Sequence, residues 1–313
     1  MKVSCFHDAS WPGTSGSSWL ANLFRVAVPM FAIAVAMCVQ SVGVARAEDP
    51  PTFLTSWGDF SFPHGLGVDA TGNVYVADTG HSKVQKFSSQ GTLMGEWVPP
   101  PEIQGSFGQP YDVAPSADGH IYVSGGGAIA VLDDALNLQR YWIANPANSL
   151  ALDPTGQFLY TTTYIYMYKY RISDGALVGS WQYAGNNQVS IGLAVGPSGT
   201  VYAGSDGYVQ KFTADGAFLG HWQPTAGVGA IAVDAQEHIY MTTGADSVFK
   251  YTSDGTLLSG WHALGNSLVD IGLDANLNIY IMAYSTRNVL KYGYPAVPAV
   301  RKSWGSLKNL YRD

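Results

Sequence analysis

A unit of about forty residues recurs six times along the chain, and this repeat limits the possible folds more than any other feature. Its first marker is an apolar residue followed by tyrosine, and the six tyrosines are 47, 38, 42, 38 and 40 positions apart. Its second marker is one tryptophan per unit. Two markers in one register make a chance repeat very improbable. The markers are Tyr75, Tyr122, Tyr160, Tyr202, Tyr240 and Tyr280, and Trp97, Trp142, Trp181, Trp222, Trp261 and Trp304.

Each unit is predicted to form four short β-strands. In the first unit, alternating apolar segments end at turns around Gly72, Gly80 and Gly91. The turn before the fourth strand is often Asp-Gly, a pair that tolerates positive φ and favours tight hairpins. No segment after residue 48 shows a sustained helical period. Four antiparallel strands repeated six times predict an all-β fold, a six-bladed β-propeller over residues 48–313.

The unit resembles the NHL repeat. The resemblance is clearest in PHGLGVDATGNVYVADTGHSKVQKFSSQGTLMGEW and in IGLAVGPSGTVYAGSDGYVQKFTADGAFLGHW, and it extends over roughly residues 53–304. It implies a six-bladed ring but no single activity, because NHL propellers include binding modules, RNA readers, extracellular sensors and some metal-dependent lyases. Lyase-type members use several histidines around a metal, whereas this chain offers only His64 at the predicted channel mouth. The Trp-Phe-Thr second strands of streptogramin-lyase-like propellers are also missing.

Two segments compete to complete the last blade. There are seven outer strands of the tryptophan type but only six sets of inner strands. The segment 52–57, which ends at Trp57, would join the two ends of the chain, whereas the segment 300–304 would close the blade by itself. We favour the N-terminal segment, because closure by both termini is usual in the propellers that the chain resembles.

Residues 1–47 are predicted to be a secretory signal. Arg25 precedes an uncharged apolar run from Val26 to Val44, and Ala45-Arg46-Ala47 has the small residues of a signal-peptidase site. The alternative is an uncleaved membrane anchor, since the run is just long enough to span a bilayer. Both versions export the rest of the chain. Both cysteines lie in this leader, so the exported part has neither a disulfide framework nor a thiol nucleophile.

Composition and charge exclude several classes of protein. Abundant tyrosine and tryptophan with only 12% charged residues argue against disorder. Without residues 1–47 the chain has 13 basic and 22 acidic residues, a net charge of −9. Nucleic acid is therefore not expected as a partner, because phosphate binding needs a basic surface. The sequence has no P-loop, no dinucleotide fingerprint and no nucleophile elbow.

The innermost strand of each blade begins at one mouth of the central channel, and aligning the tyrosines identifies two residues per blade at that point. Polar side chains concentrate on blades six, one, two and three. We therefore expect Asp270, His64 and Asp112 to approach one another once the ring closes. The first position reads His64, Tyr111, Asn148, Ile191, Gly229 and Val269, and the second reads Gly65, Asp112, Ser149, Gly192, Ala230 and Asp270.

Asp112, Asp270 and His64 are candidate ligands for a divalent cation such as Ca²⁺ or Zn²⁺, with Asn148 and water completing the shell. They are also candidate acid and base groups. The alternative, which we favour, is a wet channel whose few polar side chains are satisfied by water. No residue is assigned a catalytic role.

The longest connection, VPPPEIQGSFGQ, lies on the same face as the mouth, and Phe107 is expected to cover or line it. Arg287 would add a cation from a neighbouring loop. The run Tyr164, Tyr166, Tyr168 and Tyr170 is expected to pack between blades, with an aromatic carbohydrate platform as the alternative. The candidate ligand-binding residues are His64, Tyr111, Asp112, Asn148, Asp270, Phe107 and Arg287.

The sequence favours an exported, monomeric binding or scaffold propeller that uses the mouth face. Its ligand would be a protein, a small molecule or a glycan. The alternative is a metal-dependent lyase or lactone hydrolase with its site at the central channel. These two functions differ in what the channel holds.

Overall fold

The computed structural model describes residues 48–183, 192–205 and 207–294. Within these residues, twenty-four strands form six four-stranded antiparallel sheets. The predicted signal segment 1–47 and the competing closure segment 300–304 lie outside the described residues. No helix in the described ranges is long and apolar enough to cross a membrane.

The strands follow the chain in repeating groups of four. The N-terminal strand is β1 (Thr52–Trp57). Blade 1 contains β2 (Leu66–Val68), β3 (Val74–Asp78), β4 (Lys83–Phe87) and β5 (Leu93–Trp97); blade 2 contains β6 (Asp112–Pro115), β7 (Ile121–Ser124), β8 (Ala128–Leu132) and β9 (Leu138–Ile143); blade 3 contains β10 (Ser149–Leu152), β11 (Phe158–Thr162), β12 (Tyr166–Arg171) and β13 (Leu177–Gln182).

The second half of the chain continues the pattern. In the first half, two helical segments lie between strands: a 3-10 turn at Thr79–His81 and helix α1 (Pro101–Phe107). Blade 4 contains β14 (Gly192–Val195), β15 (Val201–Ser205), β16 (Tyr208–Phe212) and β17 (Phe218–Trp222); blade 5 contains β18 (Ile231–Val233), β19 (Ile239–Thr242), β20 (Ser247–Tyr251) and β21 (Leu257–His262); blade 6 contains β22 (Leu268–Leu273), β23 (Ile279–Ala283) and β24 (Asn288–Gly293).

The N-terminal strand completes blade 6. Strand β1 pairs antiparallel with β24, from Thr52 opposite Gly293 to Trp57 opposite Val289, and the sheet order is β1-β24-β23-β22. The predicted closure by the N-terminal segment is therefore confirmed. This pairing joins the two ends of the described propeller by backbone hydrogen bonds.

The hydrophobic core is divided among the interfaces between neighbouring blades. Tyr75 of blade 1, for example, packs with Val113 and Ile121 of blade 2. Equivalent clusters lie between each other pair of neighbours, including blades 6 and 1, where Val289 and Phe87 belong to one cluster. Because both faces of a blade are covered in this way, its inner strands are apolar on both sides rather than alternating.

The outer-strand tryptophans pack against glycines of the following blade. Each of these glycines lies in the turn before the fourth strand and has a φ between +71° and +90°. A Cβ atom at any of them would lie within 3.0 Å of the tryptophan ring. The turn therefore requires glycine for two reasons, its backbone conformation and its closeness to the ring. The pairs are Trp57 with Gly91, Trp142 with Gly175, Trp181 with Gly216 and Trp222 with Gly255.

Buried lysines link the third strand of a blade to the next blade. Lys86 Nζ donates to the carbonyl of Asp134 at 2.9 Å, and Lys291 Nζ donates to that of Ser89 at 2.8 Å. Each ammonium also lies over the repeat tyrosine of its own blade, 5.3 Å from the Tyr75 ring and 5.1 Å from the Tyr280 ring. The lysine of the VQKF-type strands thus stabilises the contact between blades while its own charge remains hydrogen-bonded.

The tryptophan–glycine contact can be tested by comparing Gly216→Ala with Gly199→Ala. The two glycines have nearly the same φ, +86° at Gly216 and +83° at Gly199. A Cβ atom at Gly199 would meet no atom within 4 Å, whereas one at Gly216 would lie 2.5 Å from Trp181 Cδ2. Gly199→Ala should lower the free energy of unfolding by about 1 kcal/mol through backbone strain. Gly216→Ala should lower it by about 1–3 kcal/mol more through overpacking, measured by urea unfolding. Equal losses of unfolding free energy in the two variants would show that the contact between Trp181 and Gly216 does not stabilise the fold.

Candidate functional site

The inner strands of all six blades line a partly open cavity of about 60 Å³ in the channel. A cavity of this size has room for a few water molecules but not for an organic substrate. Its charged lining residues are Asp112 of blade 2 and Asp270 of blade 6, and Ser149 of blade 3 is a further polar group. The structure therefore places two of the candidate residues in one small polar cavity.

Asp112 connects blades 2 and 3 through its carboxylate. Oδ2 accepts a hydrogen bond from the backbone N–H of Leu150 at 2.6 Å, and Oδ1 accepts one from Val113 at 2.7 Å. Its own N–H donates to Ser124 Oγ at 3.0 Å. Because a buried strand N–H must find an acceptor, this carboxylate satisfies the backbone at the point where two blades meet.

Asp270 makes the same connection across the closure of the ring. Its Oδ2 accepts a hydrogen bond from Leu66 of blade 1 at 2.5 Å, and its Oδ1 accepts one from Ile271 at 2.8 Å. Gly65, next to Leu66, leaves room for the other carboxylate, because a Cβ there would lie 2.6 Å from Asp112 Cα. The two carboxylates thus flank the start of β2 in blade 1.

Both carboxyl groups have raised pKa values. Burial raises the pKa of Asp112 well above its ordinary value of 3.8, and the negative charge of Asp270 raises it further. Burial raises the pKa of Asp270 to about 7, although its side chain faces the channel. Two carboxylates in a small cavity repel each other, and this repulsion favours a state in which one of them holds a proton.

His64 lies at the mouth but does not join the carboxylates. Its side chain is exposed, and its ring lies edge-on to that of Tyr111 with centroids 5.5 Å apart. Partial removal from water lowers the pKa of His64, so the imidazole is neutral at neutral pH. Asn148 is also exposed, on the next blade, and its backbone N–H donates to the carbonyl of Thr162 at 2.8 Å. These three side chains form a polar arc over blades 1, 2 and 3.

The expectation that Phe107 covers or lines the mouth is wrong. The proline-rich connection forms α1, which begins at Pro101, and Phe107 is completely buried at its end. Its ring packs edge-on against Trp97 with centroids 5.4 Å apart, and its carbonyl accepts the N–H of Gly126 at 2.5 Å. Ile103 is buried on the same helix. The helix buries its apolar residues between blades 1 and 2, so Phe107 is not available to a ligand.

Two loops at the closure of the ring are held together beside the mouth. Arg287 Nη2 lies 3.0 Å from Asp59 Oδ1, and the N–H of Phe60 donates to the Arg287 carbonyl at 3.0 Å. Phe62 contacts Tyr284 edge-on at a centroid distance of 5.9 Å. The loop from 58 to 65 and the loop from 284 to 287 therefore present Arg287 and an aromatic pair on one surface.

Phe62 was not predicted as a site residue. Its side chain is 62% exposed, and its φ is +46°, a conformation rarely adopted by a bulky residue. Strained residues of this kind concentrate at binding and catalytic sites. No sequence signal distinguishes it from an ordinary loop phenylalanine, because neither its exposure nor its backbone angle can be deduced from local composition.

The tyrosine run passes from the core to the solvent. Tyr170 is buried, and its hydroxyl accepts the N–H of Asn145 at 3.0 Å, whereas Tyr164 is 63% exposed. The rings of Tyr166 and Tyr168 are 6.1 Å apart, and those of Tyr168 and Tyr170 are 6.5 Å apart. The run thus serves packing at one end and exposes aromatic surface on the mouth face at the other.

A cation site built from three side chains finds no support. Across residues 48–183, 192–205 and 207–294, no three His, Cys, Asp or Glu side chains are grouped so that they could hold a metal ion. The predicted set fails because His64 packs on Tyr111 at the surface while Asp112 and Asp270 bind backbone N–H groups inside the channel. Both carboxylates could still offer their remaining lone pairs to water or a cation in the cavity.

The raised pKa values predict how stability depends on pH. A carboxyl whose folded pKa is raised binds more protons in the folded state, so its contribution to stability falls as pH rises from about 4 towards 7. Asp270→Asn should flatten this part of the pH profile, measured by urea unfolding between pH 4 and 8. Asp118→Asn is the control, because its exposed carboxyl has a lowered pKa. A wild-type profile that rises more steeply with pH than that of Asp270→Asn would contradict the assignment.

Three comparisons with known proteins are consistent with this geometry. The family model of the NHL repeat matches residues 60–87. A stretch of 73 residues, 22% of this chain, is 38% identical to the "Probable peptidyl-alpha-hydroxyglycine alpha-amidating lyase pgal-1" of Caenorhabditis elegans. That match covers 21% of the relative, so the similarity spans about a fifth of its length.

The solved structure described as "Streptogramin B lyase structure" has a TM-score of 0.58 with this chain. The alignment covers 79% of this chain and 97% of that one at 15% sequence identity. At this identity the comparison shows a shared fold only. The chain therefore contains a match to the NHL repeat at residues 60–87, and its described residues fold as a six-bladed β-propeller closed by β1 and β24.

Proposed function

We propose that this protein is an exported propeller that binds a peptide or glycan ligand on the mouth face, at the closure between blades 6 and 1. The observation that carries the proposal is the exposed ring of Phe62 against the half-buried ring of Tyr284, held beside the mouth by two interlocked loops. Binding residues typically lie on loops that a rigid scaffold holds in place. Aromatic side chains supply much contact area with little loss of conformational entropy.

Neighbouring polar groups suit such a ligand. Arg287 offers guanidinium donors that Asp59 does not use, since an exposed ion pair engages only part of the fork. His64 and Tyr111 add a neutral imidazole and a phenol on the next two blades. The proposed ligand would lie across blades 6, 1 and 2 and exchange water for aromatic contacts and hydrogen bonds.

The ligand class can be found by applying labelled protein to a glycan array and to a peptide array. Phe62→Gly should abolish binding to the probes that bind the wild type, because it removes the central ring. The same substitution should leave the melting temperature unchanged or raise it, since glycine relieves a positive φ that costs about 1–2 kcal/mol. This combination distinguishes a ligand contact from a structural one.

Phe218→Ala is the matched control, because Phe218 is 47% exposed on the outer strand of blade 4, away from the mouth. It should bind the same probes as the wild type. Equal binding by Phe62→Gly and the wild type would refute the proposed surface. An equal loss of binding in Phe62→Gly and Phe218→Ala would refute it as well.

A metal-dependent lyase is the second candidate function. The similarity to the lyase-named relative over 73 residues favours it, together with the carboxylates of Asp112 and Asp270 in the channel. The cavity of about 60 Å³ argues against it, because a reacting organic substrate would not fit beside these groups. We therefore rank binding above catalysis.

Metal analysis separates these two functions. We expect the purified protein to contain no stoichiometric metal, and Ca²⁺ or Zn²⁺ to change its melting temperature by little. The reason is that both carboxylates already accept backbone hydrogen bonds. A large increase with either ion that Asp112→Ala and Asp270→Ala abolish would support the metal-dependent alternative instead.

A further inference from the structure

A second cavity, of about 300 Å³, lies between blades 3 and 4 on the face opposite the mouth. Its walls include the aromatic rings of Phe158 and Trp181 and the cationic side chains of Lys169 and Arg171 from blade 3. Asp215, in a turn of blade 4, lies at its edge. This volume matches the smallest pockets that hold organic ligands, which begin at about 300 Å³.

Two of these residues depart from the repeat at their positions. Phe158 precedes the apolar–tyrosine marker, where every other unit has a polar residue that can serve the adjoining turn. Arg171 stands directly after the four residues of the third strand that match VQKF, where the other units have short or acidic residues. The other residues are Asn73, His120, Thr200, His238 and Asn278 at the first position, and Ser88, Asp133, Thr213, Thr252 and Gly293 at the second.

These two departures occur together. Phe158 and Arg171 are directly opposite each other on β11 and β12 and line the same cavity. In blades 1, 2, 4 and 5 the residue at this position closes the following turn with its side chain, as when Thr213 Oγ1 accepts the N–H of Ala217 at 3.0 Å. In blade 3 that local hydrogen bond is replaced by a long cationic side chain. Arg171 pairs with Asp174 in that turn, and Phe158 packs against the core cluster between blades 3 and 4. Together the two replacements give this cavity an aromatic and cationic wall that no other blade has at these positions.

Lys169 is fixed in place as a buried cation. Its side chain is 9% exposed, and its Nζ lies 4.1 Å from the centroid of the Phe158 ring. Nζ donates to the carbonyl of Ala214 at 2.9 Å and to Asp215 Oδ1 at 3.1 Å. An ammonium has three N–H donors, so one further acceptor can bind it.

Arg171 is available to a ligand. Its side chain is 48% exposed, and it pairs with the half-exposed Asp174 at 2.7 Å. Such exposed ion pairs are weak, and a guanidinium has five donors, which suit a second carboxylate. Asp215 is 92% exposed, so water screens its charge. The charged groups that line the cavity carry a net charge of +1 in a protein of net charge −7.

We propose that this cavity binds a small organic carboxylate, with its apolar part against Phe158 and Trp181 and its carboxylate on Arg171 and Lys169. The rings would cover the apolar part, and the guanidinium would bind both oxygens, a geometry that an ammonium alone cannot provide. This site is separate from the proposed mouth surface, and neither proposal depends on the other.

Ligand-detected NMR can test the proposal with phenylacetate, benzoate and hexanoate, each compared with its uncharged amide. The carboxylates should bind saturably and more tightly than the amides. Arg171→Gln and Phe158→Thr, which places the blade 4 residue in blade 3, should each weaken binding at least about tenfold, or about 1.4 kcal/mol. Arg171→Gln removes a half-exposed side chain and should fold normally, as checked by its melting temperature.

Lys83→Gln is the control, since it removes one positive charge from blade 1, where Lys83 pairs with Glu96. It should bind the carboxylates as the wild type does. Equal affinity for acids and amides would overturn the proposal, and so would equal weakening by Lys83→Gln and Arg171→Gln. A wild type that binds none of the three carboxylates saturably would overturn it as well.

Discussion

A blade of this propeller is apolar on both faces, so it is stable only when a neighbouring blade covers each of them. The six interfacial clusters and the contacts of tryptophan with glycine meet this constraint around the described ring. The first blade and the last would otherwise expose a core face, which β1 prevents by pairing with β24. Closure is therefore a condition for the stability of the first and last blades.

The same closure creates the charged part of the channel. Asp270 of blade 6 reaches the N–H of Leu66 in blade 1 only because the ring is closed. Asp112 makes the equivalent contact with Leu150 between blades 2 and 3, and the closed ring brings the two carboxylates into a cavity too small to hydrate both charges fully. Their raised pKa values follow from an interblade role, since a group that satisfies strand N–H groups must stay where water is scarce.

The architecture could be predicted from the sequence because the same pattern of core residues recurs in six units. Where the pattern is unclear in one unit, the other five units indicate which strands to expect. Features that occur once were harder to predict. Phe107 was expected at the mouth because a seven-residue helix is too short to show a helical period, and its burial depends on Trp97 and Gly126. His64 was grouped with the carboxylates because alignment gives a residue's height along the channel but not the direction of its side chain.

Departures from the repeat are the places where this chain can differ in function from any other propeller. Residues that recur from blade to blade are explained by packing, as shown by the tyrosine of all six blades and by the third-strand lysine of five. Phe62, with its positive φ, and the pair of Phe158 and Arg171 each occur once in the repeat, and they add exposed or strained chemistry to a stable scaffold. A ring with six interlocked interfaces can tolerate a few such residues, because their cost is small beside the burial that holds the blades together.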